Sequence, residues 1–335
     1  MKPKNSEFAA VRVMLMNAQL DALVKAAEAV GCNVVPLKGI ALLQTLYKES
    51  LDRPVGDIDI LVWPQERVRE YVNCLERDGY TAQFDFLADD ATLAEKRKIA
   101  LRSTRKERTD VDIHLAFVTK KFFSLYCEDF NRDAIQRCRR VGENLYCMDD
   151  LDQWLFLAQH ACFHLYRDEK WLMDLRLLYN TLTEEQLQTL HERAHVYGFR
   201  RITFLSESLI GQKVKGEGQM TKEGDGNQDF SPSPFAFSPP LCWRKFVHWS
   251  VRHWHSRLVK RLVNPFWELI FIDKACHRRS AHRRLLFPSL QQMKAIYRTK
   301  YTVLTLLLYP FHVLVAGLGL SLFYALYGCS IFRKG

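Results

Sequence analysis

Over residues 7–30 apolar side chains recur at helical spacing (FAAVRVMLMNAQLDALVKAAEAV), and the spacing predicts an amphipathic helix. A short run rich in β-branched residues, NVVPL at 33–37, predicts a strand, and a helix opens near Gly39 in IALLQTLYKE. A second strand follows in DIDILV at 57–62, then a helix over 66–77, and a third strand in YTAQFDF at 80–86. KIALRST and VDIHLAF read as two more strands joined by the charged turn RKERTD. Helices alternate with strands early and strands pair later, so residues 1–148 are expected to fold as an α+β domain, a mixed sheet with flanking helices.

Beyond 149 the period turns helical. DDLDQWLFLAQHACFHLY, KWLMDLRLLYNTL, TEEQLQTLHERAHVYG and FRRITFLSESLIG predict four helices over 149–210, the first capped by Asp149 or Asp150 and the third by Thr183. Residues 211–240 hold five Gly, four Pro and three Ser, a composition that cannot bury enough apolar area to offset its ordering, and they are expected to be a linker. The stretch 241–300 interleaves Trp and Phe with Arg, Lys and His, and 301–332 contains no Asp, Glu, Lys or Arg. A bilayer core is crossed by roughly 20 apolar residues in a helix, so the last run is expected to span a membrane, or to re-enter it with a bend at Pro310 or near Gly317 and Gly319.

Charge sharpens this division. The chain carries +10 in all, yet 241–300 alone holds fourteen Lys and Arg against Glu268 and Asp273. The first 240 residues are therefore slightly acidic, and basicity belongs to the segment beside the apolar run. Aromatic and basic residues together suit an interfacial helix on anionic lipid, with Trp243, Trp249, Trp254 and Trp267 at headgroup depth and the basic side facing the cytoplasm. Arginine and aromatics also serve RNA binding, but the neighbouring membrane-length run favours a lipid surface over nucleic acid as the partner. Nine scattered cysteines without a CxxC pair read as reduced thiols, and the charged first thirty residues lack the apolar stretch of a cleaved secretory signal. The expected location is the inner, cytoplasmic membrane, with the N-terminal domain in the cytoplasm.

RPVGDIDILV, at 53–62, places Asp57 and Asp59 on one face of a strand whose other face, Ile58, Ile60 and Val62, is apolar. Two adjacent carboxylates repel unless a cation lies between them, and Mg²⁺ (or Mn²⁺) suits hard oxygen donors and phosphate substrates. PLKGIALLQTLY, RPVGDIDILV and VDIHLAF together resemble the nucleotidyltransferase superfamily of polymerase-beta type. More narrowly, LKG, R..GDIDILV, VDIHL and H...H......WL.DL resemble an uncharacterised bacterial nucleotidyltransferase family linked to polysaccharide gene clusters. The likeness runs over residues 30 to about 210. The superfamily's Gly-Ser or Gly-Gly pair is Lys38-Gly39 here, as in the narrower family.

The resemblance implies that Asp57 and Asp59 are a metal-binding pair and that Asp112, in VDIHL, is the third carboxylate, a metal ligand suited to take the acceptor's proton. It implies nucleotide binding at Lys38, Gly39 and Arg53, with Gly39 letting backbone N–H groups approach phosphate and Arg53 offering a bidentate contact. The plainer reading of Lys38 is a solvated strand-end lysine, and of Arg53 a salt bridge to Asp57 or Asp59. His114 shares a face with Asp112, and His160 and His164 lie four apart on one helix, which makes all three candidates for a substrate pocket. The competing reading of the helical pair is core histidines bonded to Asp174. The expected activity is Mg²⁺-dependent transfer of a nucleoside monophosphate from a nucleoside triphosphate to an acceptor hydroxyl or phosphate, a glycan or lipid-linked precursor. Its competitors are an inactive nucleotide-binding membrane scaffold and a toxin-like transferase acting on RNA.

Overall fold

The computed structural model describes residues 4–47, 53–82, 98–118, 128–164, 166, 168–211, 285–287, 290, 293 and 302–331. In chain order the described elements begin with α1 (Lys4–Ala29), β1 (Asn33–Leu37), α2 (Lys38–Thr45), β2 (Ile58–Trp63), a short 3₁₀ turn and α3 (Val68–Arg77). β3 (Tyr80–Ala82), β4 (Lys98–Ser103) and β5 (Val111–His114) complete a five-stranded sheet. α4 (Glu128–Arg137), the strand pair β6 (Arg139–Arg140) and β7 (Tyr146–Cys147), and helices α5 (Asp150–Phe163), α6 (Glu169–Asn180), α7 (Glu184–Tyr197) and α8 (Arg200–Leu209) follow. The linker expected after Gly211, most of the basic segment 241–300 and positions 83–86 of the third expected strand lie outside the described residues.

Strand order is β1-β2-β5-β4-β3, with β2 and β5 parallel and the other neighbours antiparallel, so the sheet is mixed, as the sequence predicts. One face is apolar. Ile58, Ile60, Val111 and Ile113 are fully buried on it, and Leu20, Leu23, Tyr71, Val72 and Leu75 of α1 and α3 are buried as well. Burying side chains of that size removes roughly 1.5–3 kcal/mol of unfavourable hydration apiece, which makes this face a substantial source of cohesion. The opposite face carries the polar residues taken up below.

The expected caps are present. Asp149 accepts from the Leu151 backbone N–H at 3.1 Å, and Thr183 exchanges bonds with Gln186 in a capping box, 3.3 Å to its N–H and 2.9 Å back. By compactness the chain forms two units that interleave in sequence. The first comprises Met1–Lys121, Tyr126–Leu157 and Met173–Leu190, and the second Phe122–Leu125, Ala158–Leu172 and His191–Gly335.

In the second unit a 30-residue helix, α9 (Thr302–Ile331), has Pro310 inside it, and His312 Nε2 bonds the Leu285 carbonyl at 2.8 Å. Some α9 side chains fall outside the described set, and over the described residues alone no helix is long and apolar enough to cross a membrane. The span expected over 301–332 therefore rests on the sequence.

Candidate active site

Register explains how the acidic residues meet. Asp59 pairs with Asp112 across the parallel β2–β5 ladder, which turns both side chains to one face, and Asp57 precedes Asp59 by two residues on the same side. The segment before Asp57 is tethered. Thr109 Oγ1 donates to the Gly56 carbonyl at 2.6 Å, and Gln19 from α1 holds the Thr109 backbone through both its amide atoms. Asp57, Asp59 and Asp112 each present one carboxylate oxygen, all within 4.8 Å of one another. Three hard oxygen donors at that spacing suit Mg²⁺ or Mn²⁺, so the donor set fits the ion that the resemblance implies.

The three carboxylates sit in different surroundings. Asp57 is exposed at the edge of the cluster, and partial burial, then the charges of Asp59 and Asp112, raise its pKa. Asp59 is buried. Burial alone pushes it upward, but the hydrogen bond from His114 and the Lys38 ammonium outweigh that and hold it well below the usual carboxylate range. Both partners bond Asp59 Oδ1, Lys38 Nζ at 2.6 Å and His114 Nε2 at 2.8 Å, which leaves Oδ2 as the oxygen for a metal. Burial and the nearby Lys38 charge depress the His114 pKa, and because the Asp59 carboxylate only accepts, Nε2 is the nitrogen that carries the proton in this bond. Among the described residues the ring's Nδ1 has no hydrogen-bond partner.

Lys38 is thus no solvated strand-end lysine. Leu37 pairs with Asp59 across β1–β2, and the next residue, Lys38, turns its ammonium onto that carboxylate. The turn is a sharp one. Lys38 has φ of +50°, a left-handed conformation that costs a non-glycine residue on the order of 1 kcal/mol and tends to occur at functional sites.

Arg53 does not make the salt bridge to Asp57 or Asp59 of the plainer reading. Its Nε and Nη2 are spent on Asp174 of α6, at 2.8 and 2.7 Å, and Tyr47 completes the cluster with a 2.9 Å bond to the same carboxylate. Its remaining nitrogen, Nη1, lies against Gly39, where a β-carbon would come within 2.5 Å of it and 3.0 Å of both Val55 methyls. Close packing by Arg53 and Val55 is what requires glycine there.

Lys98, which the sequence reading did not single out, ion-pairs with Asp112. The β4–β5 register faces Lys98 with His114 and Ala100 with Asp112, so Lys98 lies on the polar face two positions from the direct partner of Asp112. The signal was the alternation in KIALRS, which becomes legible only once the strand pairing is known.

His160 and His164 belong to the second unit, where their rings pack edge-on with centroids 4.7 Å apart and Trp171 lies 5.3 and 5.1 Å from them. Asp174, which belongs to the first unit, bonds Arg53 and Tyr47.

The sequence pattern of a protein family described as "Uncharacterised nucleotidyltransferase" matches residues 4–212. The chain belongs to this family. No curated relative matches the nucleotidyltransferase. Among solved structures it is similar to that of the antibiotic-resistance factor ANT(2'')-Ia, with a TM-score of 0.39 and 16% identity over 60% of this chain and 97% of the other, a likeness too slight to bear on substrate.

Proposed function

We propose that this nucleotidyltransferase moves a nucleoside monophosphate from a nucleoside triphosphate to an acceptor hydroxyl or phosphate at the inner face of the cytoplasmic membrane, the acceptor being a glycan or lipid-linked precursor. The observation that carries the reaction is the convergence of the Asp57, Asp59 and Asp112 oxygens within 4.8 Å on the polar face of the sheet. Those carboxylates would hold the divalent ions, which when bound would neutralise phosphate charge and lower the pKa of an attacking oxygen. The acceptor oxygen bonds the α-phosphorus, the bond to the β-phosphate oxygen breaks, and pyrophosphate leaves. Asp112 receives the acceptor proton. His114 and Lys38 fix Asp59 through Oδ1, so the orientation of its other oxygen is set before substrate arrives.

Membrane placement draws on the composition of the C-terminal third. The run 301–332 lacks Asp, Glu, Lys and Arg, fourteen cations precede it, and Val303, Leu306, Leu307, Leu314 and Leu318 of α9 are exposed, an arrangement favourable in lipid and costly in water. The inactive-scaffold reading draws on the ammonium groups that neutralise Asp59 and Asp112.

One experiment separates the two readings. Label from each of the four α-³²P nucleoside triphosphates is followed in membrane extract with Mg²⁺ or Mn²⁺, for the wild type and for Asp57→Ala/Asp59→Ala. Transfer that needs the intact pair upholds the proposal, and migration of the label as lipid, glycan, protein or RNA gives the acceptor class. Equal behaviour of the two proteins with all four nucleotides leaves the scaffold.

A further inference from the structure

The two lysines on the acidic cluster are not equivalent. Lys38 is 16% exposed and bonds a carboxylate that is 5% exposed and shared with His114, whereas Lys98 is 34% exposed and its partner Asp112 is 17% exposed. Lys38 is also fixed at its backbone by the turn into α2, whereas Lys98 reaches Asp112 from the first residue of β4 on a flexible four-carbon stem. An ammonium on a carboxylate oxygen competes for the lone pairs that a divalent ion needs. At a part-exposed site its release costs little, because water and screening weaken the pair.

We propose that Lys98 is an internal competitor for the metal site: its ammonium leaves Asp112 when a divalent cation enters and then contributes to binding the phosphates of the nucleoside triphosphate. The second half rests on the function proposed above, and the first does not. Charge balance favours the exchange. Asp57, Asp59 and Asp112 carry three negative charges against the two of Lys38 and Lys98, so an entering divalent ion turns the cluster from net negative to net positive. A cation freed beside it then meets an arriving polyanion instead of a carboxylate. Lys98 thereby weakens metal binding to the empty protein and strengthens nucleotide binding to the metal-loaded one, which couples the two events. No merely structural lysine has that pair of opposed effects.

The test uses the full chain in detergent, with Mn²⁺ affinity read from the free-ion electron paramagnetic resonance signal. Lys98→Met keeps the apolar stem and is expected to bind Mn²⁺ more tightly, on the order of tenfold, the effect of removing one competing charge near a carboxylate. Lys98→Arg is expected to stay near wild type, and in an Asp112→Asn background Lys98→Met is expected to give no gain over Asp112→Asn alone, which assigns the effect to this pair. A non-cleavable α,β-methylene nucleoside triphosphate, tried with each base at saturating Mn²⁺, is expected to bind Lys98→Met more weakly than wild type by a similar factor. Should Lys98→Met not fold, Lys98→Gln takes its place. Unchanged or weaker Mn²⁺ binding by the neutral variant overturns the competitor role. If Mn²⁺ binding tightens while no analogue binds even the wild type, the competitor role stands and the nucleotide reading falls. Equal analogue binding by the two proteins overturns the phosphate role alone.

Discussion

The Arg53 guanidinium grips the Asp174 carboxylate through two hydrogen bonds, Nε to Oδ1 at 2.8 Å and Nη2 to Oδ2 at 2.7 Å, across 121 residues of sequence. Both groups are buried, and Tyr47 donates a third bond to the same carboxylate. A buried ion pair holds its place by geometry, since desolvation consumes most of the attraction, but removing one partner strands the other charge away from water. Asp174→Ala is therefore expected to lower unfolding free energy by about 3–5 kcal/mol. Arg53→Met/Asp174→Leu, which removes both charges, should recover most of that loss in urea titration. A single variant within about 0.5 kcal/mol of wild type would contradict the pairing.

Gly39 depends on the same clamp. An alanine methyl at that position meets Arg53 Nη1 at 2.5 Å, and Arg53 cannot swing aside while Asp174 holds its other nitrogens. Gly39→Ala should cost about 1–3 kcal/mol, the usual range for overpacking. In an Asp174→Ala background, where the guanidinium is free to shift, the added cost of Gly39→Ala should shrink, and a double-mutant cycle would read a coupling of about 1 kcal/mol. Strict additivity of the two substitutions would mean that Val55, at 3.0 Å, and not the clamped arginine, sets the limit.

This clamp also marks where the sequence stops being informative. The strands were legible because NVVPL, DIDILV and VDIHLAF combine β-branched residues with short length, and the carboxylates of Asp57, Asp59 and Asp112 stood out as costly inside apolar runs. Which face each residue takes follows from period alone, so the Asp57–Asp59 pairing was accessible without coordinates. What period does not carry is the partner of a residue far along the chain. The Arg53 fork reads equally well as a phosphate ligand or a salt bridge until Asp174 arrives from α6, and Lys98 has no visible role until β4 is set antiparallel to β5. The contacts that a β-carbon at Gly39 would make with Arg53 and Val55 are likewise invisible until the fold brings those residues together.

A pH dependence is expected in the second unit. His191 Nε2 meets Glu207 Oε1 at 2.7 Å, with the carboxylate almost wholly buried, and the hydrogen bond to Glu207 raises the His191 pKa against the opposing effect of burial. A histidine whose folded-state pKa lies above its unfolded value lends stability that is fully present below the unfolded pKa and is lost as pH rises through the folded one. Thermal unfolding followed from pH 6 upward should therefore show the second unit weakening through the range just above the ordinary histidine pKa, near 6.5. His191→Gln should flatten that slope and lower the midpoint most at the acid end. The same slope in both proteins would assign the dependence elsewhere.

The C-terminal third offers a prediction in which lipid and salt act separately. If the basic residues of 241–300 lie on an anionic surface, each contributes roughly 1 kcal/mol near the membrane, and that contribution fades with ionic strength. Insertion of the uncharged run 301–332 gains apolar burial, which salt does not screen. Full-length protein is thus expected to float with phosphatidylserine-containing vesicles at low salt and to remain with them in 1 M NaCl. A chain ended at residue 300 should float at low salt and be released by high salt, and one ended at 240 should stay in solution throughout. Release of the full chain by salt would reduce the membrane link to surface charge. Should the chain ended at 300 bind RNA in preference to anionic vesicles, with a steep salt dependence, the basic segment would be a nucleic-acid arm, and the acceptor would have to be sought among RNAs.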